Sequence, residues 1–490
     1  MTGLKVLATP ARFPRLLLPA TPAKDPLDLE GAVAAGAFTA LQTALELRAP
    51  GVIGAITDSG MRARASGLLI GEKWQACARA GAGTGGGASP DAPSGGTAAG
   101  GTAAGGTAAG GTAAGGTAAG GTAAGAATPV QRYVVVNAYQ SDPAVQTDRV
   151  LLERNPYAVI EGAAIAAFAV GASEVVVAVR AEASTAIAAL EAAIAAAESA
   201  GHIGDNALGS GADVRFSVKP LTGSYMLGEE TVLLRGLEGR RGQPEQQPPY
   251  TTTRGLFGAP TLVHGPQTFA AVPTIVSGGL AGFAETGARA FTGTVLVQVS
   301  GAVAHPGVAE VPFGATIREI LDVAGGIPAP HKLKAVLVGG PSGGILPPEA
   351  LGVGFDHDSL DKAGAQVGSG SIVFVDQHTC IVDLAATLTR FCADAACGKT
   401  IPCRIGLRRL AEIGARFCEG QPRGDEIARL TDLSVDIVAS ALCDHERRAT
   451  LPLLSLVRYF RDELDAHIVR NTCPAGICQP WAEARAGAGS

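Results

Sequence analysis

Cys397-Gly398-Lys399-Thr400-Ile401-Pro402-Cys403-Arg404 is the stretch from which this chain reads outward. Two cysteines bracket a Gly, a Thr and a Pro, and Cys443 follows forty residues beyond the second. Short Cys spacing around Gly and Pro is how one tight loop converges thiolates on an iron–sulfur cluster. Such loops read C-x2-C-x2-C with a distant fourth Cys, and here the middle position is Thr400. The flanks are helical by periodicity: residues 381–395 ahead of the loop, and 404–419, 425–440 and 451–467 behind it. The loop therefore joins the first two helices of an expected four-helix bundle.

Upstream the texture is strand-rich. Residues 294–301, 307–312, 335–340 and 371–375 are apolar runs ending in Gly or Pro, with a short helix expected over 316–324. Two strands, a helix and further strands describe a small β-grasp domain. Further upstream, strands at 133–137, 173–179 and 213–218 alternate with helices at 148–170 and 184–200. That alternation predicts an α/β layer with parallel strands. Residues 223–237 read as a Gly turn running into a helix, 239–267 as an extended loop, and 268–277 as a closing helix. Residues 29–58 also read as helical.

Between these parts lies a segment of different composition. The pentamer GGTAA repeats six times over residues 95–124, flanked by more Gly, Ala, Ser and Pro. It has no large apolar side chain with which to offset ordering entropy, so residues 80–128 read as a disordered insertion. The expected organisation is an arm over 1–30, an α/β domain over 31–290 carrying that insertion, a β-grasp domain over 291–378, a helical bundle over 379–470 and a tail over 471–490.

Composition excludes some functions. A net charge of −6 and no long basic run argue against nucleic acid as a partner. No uninterrupted apolar run reaches the ~18 residues of a membrane span. The first twenty residues contain three prolines and no clean apolar core, so no export signal is read there. Nine cysteines, six of them between Cys380 and Cys443, then suggest cytosolic metal or redox chemistry rather than a disulfide framework. The eight histidines show no metal spacing such as H-x3-H.

Several motifs resemble those of the NADH-binding flavoprotein subunit of respiratory complex I and of its relatives in NAD-dependent formate dehydrogenases and NAD-reducing hydrogenases. Tyr225-Met226-Leu227-Gly228-Glu229-Glu230-Thr231 looks like the family's Y-x-x-G-E-E-T. Leu237-Glu238-Gly239-Arg240-Arg241-Gly242-Gln243-Pro244 looks like L-E-G-R-R-G-x-P. Ile160-Glu161-Gly162 and Arg458-Tyr459-Phe460-Arg461-Asp462-Glu463 also match. Cys473-Pro474-Ala475-Gly476-Ile477-Cys478 resembles the C-P-A-G-x-C tail of the formate dehydrogenase and hydrogenase members. It reads as a family tail feature, or as a pair completed by metal ligands from elsewhere.

The resemblance implies an FMN- and NADH-binding α/β domain, a ubiquitin-like β-grasp (SLBB-like) domain and a bundle holding a [4Fe–4S] cluster, or a [3Fe–4S] cluster if Thr400 leaves a corner open. It implies Glu229 and Glu230 beside the hydride chemistry. Cofactor contacts would come from Arg62, Arg64, Gly67, Gly71, Lys73, Asn137, Ser141, Asp142, Tyr225, Gly228, Tyr250 and Thr268. Cys397, Cys403 and Cys443 would be metal ligands. Departures fall on these same blocks. The family's S-G-L-R-G-R-G-G-A-G-F-P-T-G-x-K-W is SGMRARASGLLIGEKW here, with Ala63, Ala65 and Ser66 at glycine positions and Leu68 at the aromatic. N-A-D-E-S-E-P has become Asn137-Ala138-Tyr139-Gln140-Ser141-Asp142-Pro143, and N-N-x-E-T has become His264-Gly265-Pro266-Gln267-Thr268.

Two functions follow as expectations. One is a flavoprotein subunit passing electrons between NAD(H), FMN and a cluster. It would work with a thioredoxin-like [2Fe–2S] subunit and a larger iron–sulfur subunit, in the cytoplasm or peripheral to the inner membrane through those partners. The other is a non-catalytic paralogue that keeps the fold as a scaffold and has lost flavin, cluster or both.

Overall fold

The computed structural model describes residues 5–19, 24–80, 130–419 and 421–478. The insertion expected over 80–128 lies, beyond Ala80, outside the described residues. The α/β part is a four-stranded parallel sheet of β1 (Tyr133–Ala138), β2 (Glu174–Arg180), β3 (Arg215–Leu221) and β4 (Thr261–His264), in the order β3-β2-β1-β4. Period-two alternation divides its faces. Val134 and Val136 join the large core, while Val135 joins a smaller one with Tyr139, Met226 and Leu227.

Strand β4 corrects the sequence reading, which made 239–267 one loop. Thr-Leu-Val-His is only four residues long and is flanked by Gly and Pro, so it shows no periodicity by itself. It is fully buried and becomes a strand by pairing with β1 over Tyr133–Val136. Helices differ in their breaks. The stretch over 29–58 splits into Leu29–Ala34 and Thr39–Asp58, with Phe38 between them at φ 66°. The stretch over 148–170 splits at Asn155 into Thr147–Arg154 and Pro156–Val170, because Pro156 starts a new first turn.

Helix Pro156–Val170 is buried almost all round. Its Ile160-Glu161-Gly162 motif has a packing cause. A Cβ on Gly162 would drive into the carbonyl of Phe269, on helix Pro266–Thr274. The Glu161 carboxylate accepts the Leu41 amide at 3.0 Å, at the start of helix Thr39–Asp58, which has no side-chain cap of its own.

After a two-residue ladder, β5 (Gly287–Ala288) and β6 (Phe291–Thr292), comes the β-grasp part. It is a five-stranded mixed sheet of β7 (Thr294–Gly301), β8 (Gly307–Pro312), β9 (Leu333–Val338), β10 (Gly344–Leu346) and β11 (Ser371–Asp376), ordered β10-β9-β11-β7-β8. Helix Ile317–Val323 is started by a capping box between Thr316 and Glu319. The N-terminal arm lies along β8. Leu16, Leu17 and Leu18 donate their amides to the buried carboxylate of Glu310, which also accepts the Thr294 hydroxyl.

The bundle contains Ile381–Ala395, Leu407–Glu419, Glu426–Ser440, Asp444–Arg448, Leu451–Tyr459 and Arg461–Ile468. The expected helix over 451–467 breaks at Phe460. Alternation on β9 explains how the bundle attaches: Val336 and Val338 face the β-grasp core, while Ala335 and Leu337 face the bundle core. Among the described residues no helix is long and apolar enough to cross a membrane.

Candidate functional site

In an open parallel sheet, ligands bind outside the carboxyl ends of strands where the strand order reverses. Here the chain runs from β1 outward through β2 to β3, then returns to the other side of β1 as β4, so the crevice lies between β1 and β4. Lys73 reaches it. Its Nζ donates to the Val263 carbonyl at 3.1 Å and pairs with Glu230 at 2.5 Å. Asn137, at the end of β1, donates to the Gly228 carbonyl at 2.9 Å. Gly228 lies so close to Ser141 that a Cβ there would stand 2.5 Å from the hydroxyl.

Glu229 caps helix Glu230–Leu237. Its Oε2 accepts the Val232 amide at 2.9 Å and the Thr231 hydroxyl at 2.5 Å, and burial raises its carboxyl above the usual range. Glu230 accepts the Thr251 hydroxyl besides pairing with Lys73. Tyr225 stands with its ring 5.5 Å from both Phe391 and His445, and burial pushes its phenol up. Asp142 accepts the Ser369 hydroxyl of the β-grasp part at 2.7 Å. Tyr250 is half-buried on the loop before β4.

Helix Pro266–Thr274 begins at this crevice with Gly265 as its N-cap and no side-chain cap. A Cβ on Gly265 would meet only the Asn137 carbonyl, at 3.9 Å, so there is room above the helix end. The Thr268 hydroxyl in its first turn accepts the Arg64 amide at 3.3 Å. Pro266 has no N–H and the Thr268 and Phe269 amides donate to the Gly265 carbonyl, so the Thr268 hydroxyl, the positive helix end and a nearby lysine are what suits this position to a phosphate. This observation fits the phosphate end of FMN.

The segment over 59–74, a loop up to Leu69 that then runs into helix Ile70–Arg79, is largely committed to packing. Arg62 donates to the carbonyls of Ala290 and Gly67 and lies over the Phe291 ring. Gly67, at φ 71°, packs on His357, and Gly71 packs on Thr57. Trp74 donates to a buried His264, whose burial keeps it neutral. Arg64 lies between Phe283 and Phe313, and its Nε and Nη2 are buried without a hydrogen-bond partner. Desolvation lowers it to about 9, against the pull of Glu310. Ala65, Ser66 and Leu68 are exposed. The loop therefore meets Thr268 through the Arg64 amide, while the side chains of its surviving arginines are engaged with protein groups.

A cavity of about 230 Å³ opens beside this crevice, at the carboxyl ends of β1 and β2, lined by Gln140, Asp142, Arg149 and Arg180 among others. It is smaller than the ~300–1,000 Å³ that encloses a drug-sized ligand. Both arginines are already paired, with Glu153 and Glu182.

The thiol loop adjoins the crevice directly. Cys397 and Cys443 pack against the apolar group containing Tyr139, Met226, Leu227 and Val263. Lys399 donates to the Pro244 carbonyl at 2.5 Å, tying the loop to the segment ahead of β4. Cys397 is lowered to about 6, first by a hydrogen bond from the Cys403 thiol and then by the Lys399 amide, and Cys403 is raised in turn. Burial pushes Cys443 up to about 12. Thr400 is held by two bonds: its hydroxyl donates to Glu446 Oε1 at 2.6 Å and accepts the Cys403 amide at 3.2 Å. Three convergent thiols fit three corners of an iron–sulfur cluster. Where a loop of this kind would offer its remaining thiol, this one carries the Thr400 hydroxyl, bonded to a buried carboxylate.

Sequence reading missed Glu446 and His445. Glu446 is 1% exposed, and its Oε2 accepts the Leu442 amide at 3.0 Å. An acidic residue three positions after Cys443 is an ordinary helix-start feature, so nothing in the sequence marks it as Thr400's partner. Histidine spacing along the sequence gave no sign of a further grouping that the fold makes. His467 stands with Cys380, Cys473 and Cys478, away from the crevice.

Comparison with known proteins agrees with this architecture. Residues 111–274 match the Nuo51 FMN-binding domain, 296–346 the SLBB domain and 383–467 the NADH-ubiquinone oxidoreductase-F iron-sulfur binding region. The chain is 36% identical over 438 residues to the F-type subunit of NADH-quinone oxidoreductase from Mycobacterium tuberculosis, covering 89% of each chain. It is 39% identical over 349 residues to the NADP-reducing hydrogenase subunit HndC of Solidesulfovibrio fructosivorans, covering 71% of each. Among solved structures, a crystal structure of NAD+-reducing [NiFe]-hydrogenase in the H2-reduced state superposes with a TM-score of 0.73 at 26% identity, over 96% of this chain and 73% of that one.

Proposed function

Because the chain belongs to the family of F-type subunits of NADH-quinone oxidoreductase, we propose that it passes electrons between NAD(H) and an iron–sulfur cluster by way of FMN, as one subunit of a multisubunit redox complex. FMN supplies the exchange between two-electron hydride chemistry and the single-electron chemistry of the cluster. The protein's part is to hold, orient and polarise. Lys73, Thr268 and the positive end of helix Pro266–Thr274 would hold the phosphate end. Asn137, Ser141 and Gly228 shape the crevice wall, with Asp142 fixing that wall to the β-grasp part. Glu229, Glu230 and Tyr225 line the side where the nicotinamide approaches, and Tyr250 covers it. Arg62, Arg64 and Gly67 set the loop's shape, and Gly71 lets helix Ile70–Arg79 pack on Thr57. Cys397, Cys403 and Cys443 would hold the cluster, and the Thr400 hydroxyl bonded to Glu446 would stand where a fourth thiolate is missing.

One observation carries this reading: two of the three thiols pack on the same apolar group that floors the crevice. The two cofactor positions therefore share a wall of side chains. The relatives named above are subunits of larger enzymes, which supports partner subunits as the onward route, a thioredoxin-like [2Fe–2S] subunit and a larger iron–sulfur subunit among them.

A scaffold role is the second reading, and the segment over 59–74 favours it. Its arginines and glycines make protein contacts, and Tyr139 fills the position of a family acid with its hydroxyl on the Gly223 carbonyl at 2.7 Å. Anaerobic purification followed by a visible spectrum, flavin extraction and iron analysis separates the two. Flavin bands with roughly three to four irons per chain support the redox subunit. A folded protein without flavin or iron, which also fails to take up either on reconstitution, refutes it.

A further inference from the structure

Away from the crevice, the described residues bring Cys380, His467, Cys473 and Cys478 together, all four buried, with their ligand atoms all within 4.8 Å of one another. We propose that these four side chains form a mononuclear structural zinc site that pins the C-terminal segment to the bundle. The inference does not depend on the redox reading, since none of the four belongs to the flavin crevice or to the thiol loop.

The spacing supports a single ion. Cys380 Sγ lies 3.7 Å from Cys478 Sγ and 3.4 Å from His467 Nε2, and Cys478 Sγ lies 3.5 Å from the same nitrogen. A tetrahedral zinc with Zn–S near 2.3 Å and Zn–N near 2.0–2.1 Å separates its ligands by roughly 3.8 Å (S···S) and roughly 3.5 Å (S···N). The observed separations match those values. None of these cysteines is in a disulfide.

Surrounding groups are arranged for ligation. His467 Nδ1 donates to the Glu463 carbonyl at 2.8 Å, which fixes the tautomer and leaves the Nε2 lone pair directed at the sulfurs. The Asp383 amide donates to Cys380 Sγ at 3.4 Å, and the amides of Ile477 and Cys478 face Cys473 Sγ. N–H···S bonds of this kind stabilise thiolates. Cys473 and Cys478 are separated by four residues around a turn at Gly476, φ 68°, within the C-x2–4-C spacing of structural zinc sites. Lys334 Nζ donates to the Thr379 carbonyl at 2.6 Å, one residue from Cys380, and also pairs with Glu463. The ligands come from three places: the N-cap of helix Ile381–Ala395, helix Arg461–Ile468, and the segment after it. The bond network thus closes a loop from 380 to 478. A fifth thiol, Cys418, adjoins Cys478 but stands outside the set of four.

The test is elemental analysis of the full chain, purified anaerobically from zinc-supplemented cells and passed through a chelating column. The parent and a Cys418→Ser control are expected to carry about one zinc per chain, and a Cys473→Ser/Cys478→Ser variant less than about a fifth of that. Iron and flavin contents should be the same in all three. Replacing zinc by Co2+ in the parent should give intense thiolate-to-cobalt and tetrahedral d–d absorption, a readout that does not depend on the double variant folding. Zinc removal should increase proteolysis after residue 468 several-fold. A parent that contains no zinc and takes up no cobalt overturns the proposal. So does zinc retained at full level by the double variant, or iron in place of zinc at this site.

Discussion

Thr400→Cys tests the account of the cluster loop most directly. In the structure the Thr400 hydroxyl donates to Glu446 Oε1 at 2.6 Å, and Glu446 is 1% exposed with only the Leu442 amide on its other oxygen. A hydrogen bond to a charged acceptor contributes ~1.5–3 kcal/mol, and a thiol is a much weaker donor over a longer bond. In iron-free protein the substitution should therefore cost about 2 kcal/mol. In reconstituted protein the new thiolate completes a four-thiolate set, and ligation that occurs only in the folded state stabilises it by mass action. The sign of the effect should reverse. Urea titrations of both forms, with iron and sulfide analysis and electron paramagnetic resonance of the oxidised protein, provide the readout. The variant should hold about four irons through oxidation, and the parent should lose the iron at the non-thiolate corner. Equal stability of the two iron-free proteins, together with unchanged iron content on oxidation, would falsify the assignment of Thr400 and Glu446 to the fourth corner.

Glu310→Gln should destabilise the protein by about 2–4 kcal/mol, because an amide cannot accept from three arm amides and Thr294 at once and leaves buried donors unpaired. Denaturant titration and faster proteolysis within residues 5–19 check this, and a change below about 0.5 kcal/mol would count against the clamp. Burial pushes Asp148 up from 3.8 to about 6, partly offset by its bond from Gln267. A raised folded-state value means stability present below pH 3.8 and lost as pH rises through about 6. Asp148→Asn should remove that slope and gain about 2 kcal/mol at pH 7, discounted from ~1.4 kcal/mol per unit because the residue keeps some solvent contact. Stability curves of parent and variant that run parallel from about pH 4 to 7 would contradict it. Lys73→Ala should weaken FMN binding about 10- to 100-fold, the loss of one charge-assisted contact, with far-UV circular dichroism unchanged. Fluorescence quenching by the protein measures the affinity, and an unaltered constant would remove Lys73 from the site.

Much of the architecture was legible because it is carried by local pattern. Valine runs over 133–137 and 173–179, the amphipathic helices around the thiol loop and the capping box at Thr316 each report a backbone state through neighbours a few residues away. The order of these blocks and the motifs within them were enough to indicate three parts and a redox family. Strand β4 was not legible, because four residues lack periodicity and become a strand only by hydrogen bonding to β1.

The larger difference lies in what each motif residue does. Sequence alone identified Gly162, Gly71 and Arg62 as family positions. The fold shows Gly162 admitting a helix against the Phe269 backbone, Gly71 packing on Thr57, and Arg62 bracing its own loop. Glu446 became the partner of Thr400, and His467 and Cys380 the companions of Cys473 and Cys478, through contacts between residues as many as 98 apart. Local chemistry determines which elements form. Which side chains meet is decided only when those elements pack, because a hydrogen bond or a metal site depends on distances of a few ångströms that the linear order does not contain.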